Sequence, residues 1–185
     1  KEEYLLTSPL EYTNEPYAIA KIAGIKMCES YYKQYGCNFI SVMPTNLYGP
    51  RDNFDLETAH VLPALINRFH NAKMKSSKIV EIWGDGTPLR EFLHVNDLAR
   101  ACLILLDKYE NSVAINIGSG QEISIGKLAL LVSKIVGFTG DVKFNPNRPN
   151  GTHRKLLDST RILELGWKPT VNLEDGISLT YDWFL

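Results

Sequence analysis

The chain has 185 residues, with 20 Lys and Arg against 21 Asp and Glu, a formal charge of −1. A balance so close to neutral argues against non-specific nucleic-acid binding, which needs a concentrated basic field. With 44% hydrophobic and 22% charged residues the composition is globular rather than disordered, and no apolar run approaches the roughly 20 residues that span a bilayer.

Glu2 and Glu3 follow Lys1 at once, so the start does not read as a secretory signal. Cys28, Cys37 and Cys102 are an odd set without C-x-x-C spacing, which indicates neither a disulfide frame nor a zinc site. The expectation is a soluble cytoplasmic protein with no membrane, nucleic-acid or metal partner.

The first thirteen residues read as a loop, with Thr7-Ser8-Pro9 as turn chemistry. Asn14-Glu15-Pro16 then starts a helix: an Asn cap, an acid in the first turn and a proline where no N–H is needed. Ile19, Ile22, Ala23, Tyr31 and Tyr35 keep helical spacing as far as the terminator Gly36. Phe39 to Met43 reads as a short strand stopped by Pro44. The loop Pro44 to Pro50 follows at the strand's carboxyl end, where open α/β sheets hold ligands.

A second helix is expected from about Thr58, with Val61, Leu62, Leu65, Ile66 and Phe69 on one face. Ile79 to Trp83 is a strand closed by the turn Gly84-Asp85-Gly86, and Phe92 to Val95 is another. Asn96 or Asp97 caps a helix to about Asp107, and Val113 to Ile117 is a strand leading into Gly118-Ser119-Gly120. Ser124 caps a helix to Gly137; Val142 to Phe144 and Leu173 to Phe184 follow as strand and helix. This alternation predicts an α/β fold with substantial parallel pairing. No repeat, low-complexity stretch or linker interrupts it.

A dinucleotide-binding fold opens with a strand, a glycine-rich turn and a helix. Here the first periodic element is a helix, and the pairs Gly84/Gly86 and Gly118/Gly120 both lack the third glycine. An amino-terminal truncation is therefore expected.

Tyr17 and Lys21 lie four apart, so both leave one face of the first helix, one turn apart. A phenol has a free pKa of about 10. A fixed ammonium beside it favours the ionised form, which makes the pair a candidate proton donor and acceptor for a carbonyl or alcohol. The same spacing also arises with the tyrosine packed and the lysine solvated. His70, His94 and His153 have no metal-ligand spacing and read as structural or exposed. Asp85 reads as turn chemistry and the three cysteines as buried structural thiols.

The stretch Asn14 to Gly24, followed by Pro44 to Pro50, resembles the extended short-chain dehydrogenase/reductases that act on nucleotide sugars. The segments Trp83 to Val95 and Asn150 to Asp158 narrow the resemblance to the GDP-L-fucose synthases. It runs over essentially the whole chain, as the carboxyl-terminal part of a longer enzyme. The tyrosine–lysine pair is common to the superfamily; the later segments are the specific ones.

The resemblance implies a Rossmann-type fold with a small α/β substrate domain. Residues 1–50 would be a remnant of the dinucleotide-binding domain, holding the Tyr/Lys helix and the following strand. Residues 51–185 would be mainly the nucleotide-sugar domain, with about 92–117 packing back on the cofactor sheet. The implied reaction is NADPH-dependent 3,5-epimerisation and 4-reduction of GDP-4-keto-6-deoxy-D-mannose to GDP-L-fucose by a homodimer, with NADP(H) as cofactor and this piece inactive alone.

Under the same resemblance Tyr17 protonates the C4 oxygen and Lys21 holds the nicotinamide ribose. Pro44, Thr45, Asn46 and Leu47 contact the nicotinamide, with Asn46 also near the sugar. His60 is the general acid of epimerisation and a further cofactor contact, since an imidazole moves protons near neutral pH; a residue at a helix start is the plainer reading. Arg68, Arg90 and Lys155 take the GDP moiety, whose diphosphate suits guanidinium forks. Trp83, Val61 and Leu65 form an apolar wall around it; ordinary surface cations and a core tryptophan are the alternative. Asn150 stands where many relatives carry an acid, at a nucleotide contact.

The family's epimerisation cysteine precedes the tyrosine helix, and Cys28, Cys37 and Cys102 match no such position. Tyr31, Tyr32 and Tyr35 form a dimer seam or belong to the core. Two other functions stay open. Another nucleotide-sugar epimerase or dehydratase, such as a UDP-hexose 4-epimerase, would keep Tyr17 and Lys21 without needing His60. A non-catalytic nucleotide-binding scaffold would need none of the three.

Overall fold

A computed structural model describes residues 1–185. Helix α1 (Glu15–Tyr35) carries Pro16 in its first turn and ends at Gly36, whose φ of 67° is left-handed and whose N–H bonds Tyr32 O. Asn14 precedes it without a side-chain cap bond. Two 3-10 turns, Glu2–Tyr4 and Tyr12–Asn14, replace the plain loop expected before it. The Glu11 carboxylate caps the second of them through the Thr13 N–H at 3.1 Å.

Strand β1 (Val42–Pro44) is followed at once by β2 (Asn46–Tyr48), inside the segment expected to be a loop. Next come α2 (Val61–Met74), β3 (Ile79–Trp83), β4 (Leu89–His94) and α3 (Val95–Lys108). The chain continues through β5 (Ile115–Ile117), β6 (Glu122–Ser124), α4 (Ile125–Val136) and β7 (Asp141–Asn145). It closes with β8 (Arg154–Lys155), α5 (Thr160–Glu164) and α6 (Leu173–Phe184).

Strand pairing is mostly parallel, as the alternation predicts. β1 pairs β5 in the register Val42↔Ile115, and β3 pairs β7 with Trp83 opposite Asn145. β4 is the organising strand. Its second half runs parallel to β2, while its first half pairs antiparallel with β6 and parallel with β8.

Two apolar cores result. The larger packs the α2 face of Leu62, Leu65, Ile66 and Phe69 against Leu128, Val132 and Val136 of α4, Val80 and Ile82 of β3, and Ile177 of α6. The smaller joins β1 and β5 to α3 and α5 through Ala101, Leu105, Ile115, Ile117, Ile162 and Trp167. Helix α1 contributes no buried residue to either.

Three local expectations are corrected. Neither Asn96 nor Asp97 caps α3; His94 does, its Nδ1 accepting the Asn96 N–H at 3.3 Å. Asp97 is fully buried and faces the 170–171 segment, accepting the Thr170 hydroxyl at 2.8 Å and the Val171 N–H at 3.0 Å. Helix α2 begins at Val61 rather than Thr58. Cys28, Cys37 and Cys102 are free thiols, half-buried rather than buried. No helix is long and apolar enough to cross a membrane.

Candidate active site

The helical period places Tyr17 and Lys21 as expected, with the lysine Nζ 5.4 Å from the centroid of the tyrosine ring. Tyr17 is 60% exposed. The ammonium lies within cation–π range of the ring, and both side chains are exposed.

The segment expected to meet a nicotinamide is fixed from behind. The Thr45 N–H donates to Ile117 O at 2.9 Å, and the Thr45 hydroxyl and Asn46 Nδ2 donate to Glu91 O at 3.2 and 2.8 Å. The amide oxygen of Asn46 accepts no hydrogen bond within the chain. Leu47 packs against the smaller core and Pro44 is exposed.

His60 occupies the cap position of α2, exposed, and its ring makes no capping bond. The preceding loop is built by side-chain hydrogen bonds that consume Thr58. Asp55 Oδ1 accepts the Glu57 N–H, the Thr58 N–H and the Thr58 hydroxyl, at 3.1, 3.0 and 2.9 Å. The Thr58 hydroxyl, followed by those two N–H groups, holds the Asp55 carboxyl below the usual carboxylate range. Asn67 Nδ2 donates to Phe54 O at 2.6 Å, and the Phe54 ring stacks on Trp183 with centroids 6.0 Å apart. His60 therefore projects from a braced loop with its imidazole uncommitted.

At the far end of β3, Trp83 is 57% exposed, with the Arg148 guanidinium 5.1 Å from its ring centroid. Arg68 Nη1 donates to Glu81 O at 2.8 Å, so α2 aims that guanidinium along β3. Arg90 and Lys155 are register partners in β4 and β8. Arg90 is half-buried, donates to Leu89 O at 2.7 Å, and burial pushes its pKa down. Asn150 Oδ1 accepts the Asp85 N–H at 2.8 Å. A backbone N–H only donates, which fixes the amide's orientation. Asp85 itself accepts the Thr87 N–H and hydroxyl at 2.9 and 2.7 Å, as turn chemistry predicts.

Of the apolar wall, Trp83 and Val61 are open to solvent, whereas Leu65 is 4% exposed and belongs to the larger core. Sequence reasoning missed Arg148, which nothing in its spacing singles out. It also missed Glu91, whose partners lie 29 to 66 residues away. No three His, Cys, Asp or Glu side chains gather as a metal site. The structure thus assembles two groups, Tyr17 with Lys21 on α1 and the cationic, tryptophan-bearing surface around β3, β4 and β8. His60 stands at the head of α2, joined to neither by a hydrogen bond or ring contact.

A sequence model of the NAD dependent epimerase/dehydratase family matches residues 1–118. The chain belongs to that family. Among curated relatives of the family it is similar to GDP-L-fucose synthase 1 of Arabidopsis thaliana, 58% identical over 184 residues, covering 100% of this chain and 57% of the relative. A GDP-L-fucose synthetase from Naegleria fowleri, solved with NADP bound, superposes with a TM-score of 0.94 at 32% identity, over 100% of this chain and 60% of that one. MlghC, a GDP-mannoheptose C4 reductase from Campylobacter jejuni solved with NADP, gives 0.88 at 42% identity, over 100% and 61%. The chain thus spans about three fifths of the length of these relatives. The α/β Rossmann-type fold expected from the sequence is the one these structures share.

Proposed function

We propose that these residues form the tyrosine helix and the nucleotide-sugar end of an NADPH-dependent enzyme that epimerises GDP-4-keto-6-deoxy-D-mannose at C3 and C5 and reduces it at C4. One observation carries the reading: in a chain 58% identical to a GDP-L-fucose synthase, His60 stands exposed at the head of α2 with a ring free of capping duty. A simple 4-epimerase has no use for it, and a structural cap would be engaged. The domain reading is part of the proposal. The smaller core with β1 and β5 serves the cofactor side, and the larger core carries the sugar nucleotide.

The residues present fit a nicotinamide nucleotide. The Lys21 ammonium forms no ion pair within the chain and suits ribose hydroxyls, and the Pro44–Leu47 backbone and the Asn46 amide lie at β1 and β2, the latter beside β4. NADP(H) bound there would supply the hydride for C4. Tyr17 delivers a proton to the C4 oxygen, and Lys21 one turn away favours the phenolate that remains. His60, as an imidazolium, returns a proton beside the keto carbon after enolisation, which sets the new configuration. Arg68, Arg90 and Lys155 hold the diphosphate. Trp83 and Arg148 offer a ring face and a guanidinium to the base. Asn150, whose oxygen accepts the Asp85 N–H, stands at the nucleotide contact as a neutral amide tied to the Gly84–Gly86 turn. The protein pairs through α1, where the Tyr31 ring lies 5.4 Å from Tyr35 and 5.8 Å from Phe39, all three exposed.

A second reading, a GDP-sugar 4-reductase without epimerisation, has the likeness to the C4 reductase behind it. Turnover of the keto-sugar in deuterium oxide by the full-length protein separates the two. Deuterium at C3 and C5 of GDP-L-fucose, with one NADPH oxidised per product, supports the first. A C4-reduced sugar without deuterium supports the second. Neither exchange nor NADPH oxidation sinks both.

A further inference from the structure

Glu91 lies in the middle of β4, fully buried, and no cation neutralises it. Its carboxylate is met by backbone instead: Oε1 accepts the Gly120 N–H at 2.6 Å and Oε2 the Leu157 N–H at 3.2 Å. Its main-chain oxygen accepts the Asn46 amide and the Thr45 hydroxyl at 2.8 and 3.2 Å. Gly118 makes room for the head group, since an ideal Cβ there would come within 2.8 Å of Glu91 Cδ. A strand position serving stability alone is met as well by an apolar side chain, which avoids burying an unneutralised charge.

Three segments converge on this residue. The Thr45–Asn46 stretch borders the nicotinamide site of the proposed reaction. The Gly118–Gly120 turn leaves β5. Leu157 lies two residues beyond Lys155, whose strand pairs with Arg90.

We infer that Glu91 is a positioning residue: its carbonyl sets the cofactor-side segment, its carboxylate sets the strand bearing Lys155, and the two ligands are thereby held in one register. The inference rests on the reading given under Proposed function. It predicts an asymmetry, because the carbonyl survives any substitution and the carboxylate does not. In Glu91→Gln the amide offers one acceptor and one NH₂, so one backbone N–H must face a donor. The shorter bond to Gly120 keeps the oxygen, and Leu157 is released.

The test uses the full-length protein with two variants, Glu91→Gln and Gly118→Ala, the second pushing the carboxylate aside without removing it. KM for the GDP-keto-sugar and Kd for GDP alone should rise roughly tenfold, the scale of one charge-assisted hydrogen bond. The maximal rate and KM for NADPH should stay within about twofold, since only substrate binding is touched. A purely structural role gives the opposite split, a lower kcat and melting temperature with KM unmoved. That result, equal loss for both ligands, or failure of both variants to fold would overturn the inference. GDP and NADPH binding by calorimetry needs no turnover. A wild type that binds GDP but leaves the keto-sugar untouched therefore sinks the proposed reaction while the two variants still test Glu91. A wild type that binds no GDP overturns both.

Discussion

Replacing Asp97 by Ala should unfold the smaller core well before the rest of the chain's stability is spent. The carboxylate is fully buried at the start of α3 and serves four donors. These are the Thr170 N–H at 3.1 Å, the Thr170 hydroxyl at 2.8 Å, the Val171 N–H at 3.0 Å and Arg100 Nη1 at 3.0 Å. Arg100 is 46% exposed and rehydrates, so its share is about 0–1 kcal/mol. The two backbone N–H groups lose a charged acceptor in a partly buried turn, at about 1–3 kcal/mol each. The sum, about 2–7 kcal/mol, brackets the usual cost of removing one member of a buried polar pair, about 3–5 kcal/mol, which is the expected loss here. At about 2–4 °C per kcal/mol for a chain of this size, the melting temperature should fall by roughly 6–20 °C. Trp167, 1% exposed and bonded through its indole N–H to Asp97 O at 3.1 Å, reports the change by fluorescence during urea or thermal unfolding. Asp97→Asn, which retains one acceptor oxygen, should lose less. A cost below about 1 kcal/mol for the alanine variant would show that the Thr170 and Val171 N–H groups do not depend on the Asp97 carboxylate.

In the full-length protein, Tyr17→Phe should slow NADPH oxidation by roughly 10²–10⁴-fold, the contribution of a positioned acid. Solvent deuterium should still enter C3 and C5; loss of both together, with substrate still bound, breaks the division of roles. Trp83→Ala should weaken GDP binding roughly tenfold, the scale of a stacked base with a cation beside it, and calorimetry reads it directly. His94 is buried and uses the Nδ1 lone pair to cap α3, while burial lowers its pKa against the pull of Asp97. The unfolded histidine takes up its proton near pH 6.5, before the folded one does. Stability is thus whole above that pH and falls as pH drops toward the lower folded pKa. His94→Asn, itself a good cap, should flatten the dependence of melting temperature between pH 7.5 and 5.5. An unchanged slope would clear His94 of the effect.

The helices were legible because their signals are local: Pro16 and Gly36 bracket α1, and Ser124 and Gly137 bracket α4, each in its expected role. The face of α2 was legible too, and its inward side includes Leu65, which one helical period assigns equally to a core and to a ligand wall and which the structure packs into the larger core. β2 escaped because Asn46–Tyr48 is only three residues long and lies between the breakers Pro44 and Gly49; it becomes a strand only by lying beside β4. β6 and β8 are similarly short and exist through that one strand. Asn96 and Asp97 are strong cap types, yet His94 caps and Asp97 is drawn to a segment 73 residues away, a partner no local pattern encodes. Tyr17 and Lys21 follow from a helical period, and so their pairing was readable. Arg148 over Trp83, and Glu91 beneath Asn46, arise from strand register and were not.

His60→Asn decides whether the proposed site epimerises as well as reduces. Asparagine keeps much of the side chain's volume and polarity but delivers no proton at neutral pH. His60 makes no bond that braces its loop, so fold and GDP affinity should be unchanged. Products of the full-length variant, given GDP-4-keto-6-deoxy-D-mannose and NADPH, are resolved by NMR while NADPH is followed optically. GDP-L-fucose should fall by roughly two orders of magnitude, the low end of general-acid effects, while an unepimerised GDP-6-deoxyhexose appears from continued reduction at C4. Undiminished GDP-L-fucose would remove His60 from the epimerisation and return it to the role of a residue that merely begins a helix.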